Sequence, residues 1–316
     1  MTDGRFLSWR RILAGTDIAI GHRQLYMLPT RMGLVFSFLL LTLLLGAINY
    51  ENGLSYALTF FLGAIAIVSM LYTHYNLLGV HVLTGSADAV FAGQIARFSI
   101  CLRNTTAKAR LQIECVHNGQ VFAVVNLGPH DQKYVVLELP ATRRGRMPID
   151  FFALQTRFPL GLLYTWSRLI RLEQSCLIYP HPAPSESLPL ATVGEDLKEQ
   201  GAGARGDDFV GLRQFRSGDS LKHVHWKALA RGQGMHTKQF GGGSGEDLWL
   251  DWSMTSEKNV EARLSRLCRW LIDAEEFGLS YGLRLPDLEI KPGSGAIHQG
   301  ACLQALALYK YDERPE

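Results

Sequence analysis

The longest hydrophobic runs of the chain lie near its start and predict two membrane-spanning helices. Between Arg31 and Asp88 the only Asp, Glu, Lys or Arg is Glu51. The uncharged runs on its two sides, 32–50 and 54–73, each approach the ~20 residues with which a helix crosses ~30 Å of hydrocarbon. Two core helices are the alternative, but they need a domain large enough to enclose them, and a signal peptide would start earlier. We therefore expect a transmembrane helical hairpin over residues 32–75.

The arginines that precede the first hydrophobic run set the expected orientation of the hairpin. Residues 1–31 contain five arginines and two aspartates, which together account for the whole net charge of +3. Because positively charged flanks stay in the cytoplasm, we expect an inner-membrane protein with two helices and with both termini cytoplasmic. The remaining chain is electrically neutral, which argues against a nucleic-acid partner.

After the second hydrophobic run, short alternating segments predict a β-rich, sandwich-like domain over residues 76–180. In the segment RFSICLRN the alternation places Phe98, Ile100 and Leu102 on one face of a strand. Turn-rich pieces separate this segment from its neighbours, as in antiparallel sandwiches and small barrels. The other predicted strands are Gly79–Leu83, Leu111–His117, Gln120–Val125 and Tyr134–Leu139.

A Pro-, Ser- and Gly-rich stretch over residues 181–205 is the clearest linker and separates the β-rich domain from the rest of the chain. The five cysteines are spread along the chain, and no two of them form a C-x-x-C pair. An odd number of cysteines in apolar surroundings indicates buried, reduced thiols rather than disulfides or a metal centre. Reduced thiols agree with a cytoplasmic location for the body of the protein.

The last part of the chain changes to an α/β pattern. Residues 247–252 read as a buried strand, and residues 279–285 read as a second one. Between them, apolar residues recur at helical spacing over a helix of about residues 257–277. A strand-helix-strand unit of this length implies a parallel pair of strands joined by a crossover. A final helix is expected at about residues 301–309.

Residues 206–240 carry the densest set of charged and aromatic side chains and admit two structural interpretations. In the first, Asp219 pairs with neighbouring arginine or lysine and Trp226 covers their aliphatic stems, which makes the segment a structural clasp. In the second, the segment is a recognition surface, since Arg and Trp are frequent interface anchors. His223 and His225 have a spacing compatible with a metal, but no third ligand stands near them in the sequence.

This segment resembles the signature of the family called domain of unknown function 58. The matching residues are Gly206, Asp208, Phe209, Gly211, Leu212, Arg213, Phe215, Gly218, Asp219, Lys222, Val224, Trp226, Lys227, Ala230 and Arg231. Two departures are Lys222, where arginine is usual, and the glycine-rich 241–245, which replaces an acidic stretch. The layout of the chain is also similar: two membrane helices, a β-rich domain, the signature, and a piece similar to a von Willebrand factor A domain.

The resemblance implies a partner and a surface for it. The expected partner is a MoxR-type AAA+ ATPase, and the chain would act in assembling or maturing envelope or metalloenzyme complexes. The residues expected to form the interaction surface are Asp208, Phe209, Gly211, Arg213, Arg216, Gly218, Asp219, Lys222, His225, Trp226, Lys227 and Arg231.

The resemblance also points to a magnesium site after the first strand of the α/β piece. Asp251, Ser253 and Thr255 stand where von Willebrand factor A domains have an Asp-x-Ser-x-Ser metal motif, and they offer the oxygen ligands that magnesium prefers. Asp287, at the end of the next strand, is a weaker candidate. The alternative is that Thr255 or Ser256 caps the following helix.

The predicted fold class is therefore a membrane-anchored α+β protein with a two-helix transmembrane hairpin, a β-sandwich-like domain and a truncated, von Willebrand factor A-like α/β domain. The domains are 1–31, a basic cytoplasmic N-terminus, then 32–75, 76–180, the linker 181–205, and 206–316. We expect a non-enzymatic adaptor with no catalytic residues and no cofactor other than, at most, magnesium. The alternatives are a metal-dependent hydrolase built around His223, His225 and Asp219, and a purely structural membrane scaffold.

Overall fold

A computed structural model describes residues 12–184, 188 and 248–311, together with the backbone of 209–214 and 236–240. Its fold class is α+β, as predicted, with several sheets and two long apolar helices. The chain divides into two compact units, the first ending at Ile178 and the second beginning at Tyr179.

The two apolar helices of the first unit are α1 (Arg31–Asn49) and α2 (Gly53–Leu77). Each begins at a side-chain cap: Thr30 accepts a hydrogen bond from the backbone of α1, and Asn52 accepts two from the backbone of α2. Both helices are long and apolar enough to cross a membrane. Only 11% of the most apolar window of each helix is buried in the protein, so neither is an enclosed core helix.

The strands of the first unit follow the alternating segments of the sequence. In chain order they are β1 (Leu13–Gly15), β2 (Asp17–Ala19), β3 (Leu25–Pro29), β4 (Val80–Ala87), β5 (Val90–Phe91), β6 (Ile95–Asn104), β7 (Arg110–His117), β8 (Gln120–Leu127), β9 (Gln132–Pro140), β10 (Gly145–Pro148), β11 (Ala153–Thr156), β12 (Leu163–Ser167), β13 (Ile170–Leu172) and β14 (Ser175–Tyr179). The five strands predicted over residues 79–139 are all confirmed, with ends that differ by at most about four residues.

Two antiparallel sheets of the first unit share one hydrophobic core, which makes this unit a sandwich. The strand orders are β2-β4-β6-β9 in one sheet and β3-β12-β11-β7-β8 in the other. Phe98, Ile100 and Leu102 of β6 are fully buried in this core, as their alternation predicted. Ile113 of β7 and Leu154 of β11 enter the same core from the other sheet. Smaller sheets, β10-β14-β5 and β1-β13, complete the unit.

Residues 13–29 belong to the sandwich, although the sequence analysis treated 1–31 only as a basic N-terminus. β1 pairs in parallel with β13, β2 pairs with β4, and β3 pairs with β12 along its whole length. These strands are short, and their partners lie after the helical hairpin in sequence. Local periodicity therefore gives little sign of them.

The sandwich is joined to both helices without a flexible linker. Thr30 alone separates β3 from α1, and only Leu78 and Gly79 separate α2 from β4. At the end of α2, Asn76 is 5% exposed and reaches into the sandwich. Its amide nitrogen donates to the carbonyl oxygen of Leu111 (2.6 Å) and to Oγ1 of Thr156 (3.0 Å), and its oxygen accepts from the backbone N–H of Leu111 (2.9 Å).

The second unit contains a strand pair and a small α/β sheet. Its elements are β15 (Phe209–Gln214), β16 (His236–Phe240), β17 (Leu248–Asp251), α3 (Val260–Glu276), β18 (Tyr281–Leu285), β19 (Leu288–Gly293) and α4 (Ala296–Leu308). β17 and β18 are parallel, as the strand-helix-strand pattern predicted. β19 was not predicted. It returns antiparallel to β18 through the tight turn at Pro286 and Asp287, where the sequence analysis gave no strand.

The predicted apolar stripe of α3 faces the core of this unit. Leu264, Leu267, Leu271 and Ala274 are fully buried, whereas Val260 at the start of the helix is exposed. All five cysteines of the chain are free and buried, as predicted from their spacing. Burial raises the pKa of the Cys115 and Cys268 thiols to about 12, which keeps both in the unreactive, protonated form.

Replacing Asn76 with alanine is expected to lower the free energy of unfolding by about 1–3 kcal/mol, because it leaves the buried N–H and carbonyl of Leu111 without their partner. Denaturant unfolding of the full chain in detergent would measure the change. The matched control is Gln120→Ala, which removes an exposed carboxamide from β8 and should change stability little. Equal effects of the two substitutions would contradict a stabilising role for the Asn76 contacts.

Candidate functional site

The signature segment is described only in part, as a pair of antiparallel strands. Phe209, Gly211 and Arg213 lie on β15, where Arg213 is in register with Thr237 of β16 and Gly211 with Gln239. The other residues expected to form the interaction surface lie outside the described residues: Asp208, Arg216, Gly218, Asp219, Lys222, His225, Trp226, Lys227 and Arg231. The choice between a clasp and a recognition surface therefore stays open.

The candidate magnesium residues lie where β17 ends. Oδ1 of Asp251 accepts hydrogen bonds from the backbone N–H and from the hydroxyl of Ser253, both at 2.7 Å. These bonds cap a short 3₁₀ turn over Trp252–Met254. Thr255 is 4% exposed, and its hydroxyl donates to the carbonyl oxygen of Trp252 at 2.7 Å. Asp251, Ser253 and Thr255 therefore lie close together, but their hydrogen bonds form the turn that ends β17.

An arginine from the neighbouring strand occupies the other side of the Asp251 carboxylate. Arg284 is in register with Asp251, and its Nη1 lies 3.6 Å from Oδ2 of that residue. The same guanidinium lies over the ring of Trp249 (4.3 Å) and pairs with Glu289. Sequence reasoning missed Arg284 because only the pairing of β17 with β18 brings it to this place.

The geometry favours an ion-paired turn over a metal centre at this position. One carboxylate oxygen of Asp251 accepts two hydrogen bonds from Ser253 and the other faces Arg284, so protein groups already partner both oxygens. Among the residues that the structure describes, no group of three His, Cys, Asp or Glu side chains is arranged to hold a metal ion. The alternative that Thr255 or Ser256 caps the following helix was wrong. Asn259 caps α3, and its side chain accepts a hydrogen bond from the N–H of Glu261.

The charge of Asp251 is stabilised by its partners. Burial alone would raise the pKa of this carboxyl, but the hydrogen bonds from Ser253 and the charge of Arg284 together hold it below its usual value. The carboxylate therefore contributes stability that is present above its unfolded-state pKa of about 3.9. This contribution is lost as pH falls through the lower pKa of the folded state.

A second group of residues lies on β3 and β12, the strand that leads into α1 and its neighbour, and sequence reasoning assigned it no role. Trp166 stacks between Tyr164 (4.9 Å between ring centroids) and Tyr26 (5.8 Å) on the outer face of β12 and β3. Arg157 lies 5.5 Å from the ring centroid of Tyr164. The alternation Tyr-x-Trp in β12 was the available signal, but the third ring comes from β3, far away in sequence.

Comparisons with known proteins add little to this geometry. No protein-family model matches the chain, and no curated protein matches it. Among solved structures, a CARDB domain from Pyrococcus furiosus is similar over 29% of this chain and 89% of its own length, with 12% identity and a TM-score of 0.18. A similarity this weak establishes neither a shared fold nor a shared function.

Asp251→Asn is expected to lower the melting temperature of the protein at pH 7, because it removes the charge that Arg284 and Ser253 stabilise. The difference from wild type should shrink as pH falls below about 3.9, where the unfolded carboxyl protonates, and should vanish below the lower pKa of the folded state. Thermal melts across pH 3–7, followed by circular dichroism, would show this.

Asp287→Asn is the matched control for that measurement, since Asp287 is exposed in the β18–β19 turn. A deficit of Asp251→Asn that stays constant across the pH range would contradict the ion-pair account. A rise in wild-type melting temperature with millimolar Mg²⁺, absent in Asp251→Asn, would instead support the magnesium site.

Proposed function

We propose that this chain is a non-enzymatic inner-membrane protein that acts as a partner or adaptor of a MoxR-type AAA+ ATPase, in assembly or maturation of envelope or metalloenzyme complexes. The helices α1 and α2 would anchor it, and the signature segment of the second unit would present the docking surface. The observation that carries the anchoring is the pair of adjacent apolar helices with outward-facing hydrocarbon side chains, which pass directly into the strands of a folded body.

The surface chemistry of the helices supports anchoring. Large apolar side chains point outward along both, among them Phe38, 71% exposed, in α1 and Phe60 in α2. Apart from Asn76 and Leu77 at the end of α2, the buried residues of the two helices are small: Gly33, Ala47, Thr59, Ser69 and Thr73. Small residues at contacts and large apolar ones outside are typical of helices packed in lipid. In water the same surface would be an aggregation hazard.

The lengths of the helices also fit a bilayer. At 1.5 Å per residue, α1 is ~28 Å long and α2 is ~38 Å long, against a hydrocarbon thickness of ~30 Å. The excess length of α2 lies at its end, where Asn76 and Leu77 are buried against the sandwich. The sandwich would therefore lie directly on the membrane surface.

The assignment of a partner depends on the resemblance of residues 206–240 to the domain of unknown function 58 signature. Arginine and tryptophan are the residues that most often supply binding energy at interfaces, and the segment has both. Of the arginines in this segment, Arg213 lies on β15, in register with Thr237 of β16.

Tyr50→Cys is expected to react with a membrane-impermeant maleimide in intact spheroplasts, since Tyr50 is 80% exposed at the hairpin tip and would lie outside the membrane. Because the native thiols are buried, the introduced cysteine should dominate labelling. Val136→Cys, on exposed β9 of the sandwich, is the control and should react only after lysis. The reverse pattern would overturn the proposed orientation, and equal labelling of both would overturn anchoring.

The full chain in mild detergent is expected to retain a MoxR-type ATPase from the same organism in a pull-down, and Arg213→Ala or Asp219→Ala should weaken binding at least ~10-fold, as hot-spot residues do. Arg97→Ala, which removes an exposed arginine of β6, is the control and should bind normally. Thermal melts of each variant are needed beside the pull-down. Variants that unfold would indicate a clasp, and folded variants that bind normally would remove the signature from the interface.

A further inference from the structure

The loop between β11 and β12, residues 157–162, is fixed to the first turn of α1. The backbone N–H of Thr30 donates to the carbonyl oxygen of Leu162 (2.9 Å), and the Thr30 hydroxyl donates to the carbonyl oxygen of Gly161 (2.7 Å). Gly33 lets the helix approach the loop closely, since a Cβ there would come within 2.0 Å of the Leu162 carbonyl oxygen. The loop therefore lies at the same level as the start of the helix.

This loop is apolar and presents hydrocarbon to its surroundings. It reads RFPLGL, and Leu160 at its tip is 53% exposed beside an exposed Pro159. On β3, which leads into α1, Leu28 is 58% exposed and is in register with Tyr164 of β12. A single exposed leucine is ordinary on a soluble surface. Here, however, the exposed leucines continue the apolar surface of a helix long enough to span a membrane.

Aromatic and cationic side chains lie next to these leucines. The stack of Tyr164, Trp166 and Tyr26 begins beside Leu28 and extends away from the helix along β12 and β3. Tyr164 is held in place because its hydroxyl donates to Gln155, which in turn donates to the carboxylate of Glu114.

Two arginines border the aromatic stack. Arg157 lies over Tyr164, and Nε of Arg168 donates to the Tyr26 hydroxyl at 3.3 Å. Tyrosine and tryptophan with adjacent arginines are the composition of a membrane–water interface, where rings sit at the headgroups and guanidinium groups meet phosphates.

We propose that the β11–β12 loop is a third membrane contact, which inserts Pro159 and Leu160 at the boundary of headgroups and acyl chains in the leaflet that α1 enters. Leu28 and the aromatic stack rest on the same lipid surface, and Arg157 pairs with lipid phosphate. The contact fixes the tilt of the first unit on the bilayer. This inference rests on the proposed anchoring by α1 and α2.

The test uses the full chain reconstituted in vesicles of phosphatidylethanolamine and phosphatidylglycerol. Leu160→Cys is labelled with an environment-sensitive fluorophore, and quenching by lipids that carry a doxyl group near the headgroup or deep in the acyl chain is compared. Burial of all five native cysteines directs the label to the new one. Val136→Cys, exposed in the opposite sheet, is the matched control, and Phe38→Cys reports on α1 itself.

The Leu160 label is expected to lose about half of its emission to the shallow quencher and less to the deep one, as for a side chain ~5–10 Å into the interface. The Val136 label should be unaffected, and the Phe38 label should be quenched most by the deep group. A label on Leu28→Cys reports on the same surface from β3, and its quenching should match that of the Leu160 label. It keeps the test valid if Leu160→Cys folds poorly.

The outcomes separate this inference from the proposed anchoring. Quenching at Phe38 without quenching at Leu160 and Leu28 overturns the third contact and leaves the helical anchor intact. No quenching at any of these positions overturns both. Equal quenching of the Leu160 and Val136 labels also contradicts the inference, since it would mean that the lipid shows no preference for this face.

Discussion

The buried carboxamide of Asn76 is the contact through which the two long helices and the sandwich become one body. It forms hydrogen bonds with both backbone groups of Leu111 and with the hydroxyl of Thr156. The last turn of α2 is therefore bonded to the sandwich in the way that a neighbouring strand would be. Thr30 does the same at the start of α1. Because each helix also passes into a strand within a few residues, no hinge remains between them. The position of every surface of the first unit relative to the helices follows from these two joints.

The elements that could be predicted from the sequence are those whose own residues show a clear strand or helix periodicity of apolar positions. β6 alternates over most of its length, and α3 repeats leucine at helical spacing, so neither needs a distant partner to be recognised. The strands β1 to β3 are different. They are at most five residues long, and they exist because strands after the hairpin offer them open edges. β19 likewise depends on the turn that follows β18.

The candidate sites likewise contain features that the sequence predicts and features that depend on strand pairing. The spacing of Asp251, Ser253 and Thr255 was visible in the sequence, and the structure does bring them into one turn. Their chemistry was not visible, because Arg284 reaches the carboxylate only through the register of two parallel strands. For the aromatic stack, one ring of three comes from β3, on the far side of the hairpin in sequence. The sequence gives the identity of each side chain. Which side chain lies beside it depends on strand pairing, which only the fold determines.

The direct passage of β3 into α1 and of α2 into β4 has a consequence for the order in which the protein is made. β3 leaves the ribosome before the helices, but its partner β12 is synthesised after them, more than a hundred residues later. In a membrane-inserted chain, the sheet that contains β3 would therefore close only when both helices are in place. Until then β3, which carries Tyr26 and Leu28, would remain unpaired beside the membrane. Unpaired strand edges of this kind are prone to aggregation. In such a chain, insertion of the hairpin would precede the pairing of β3 with β12.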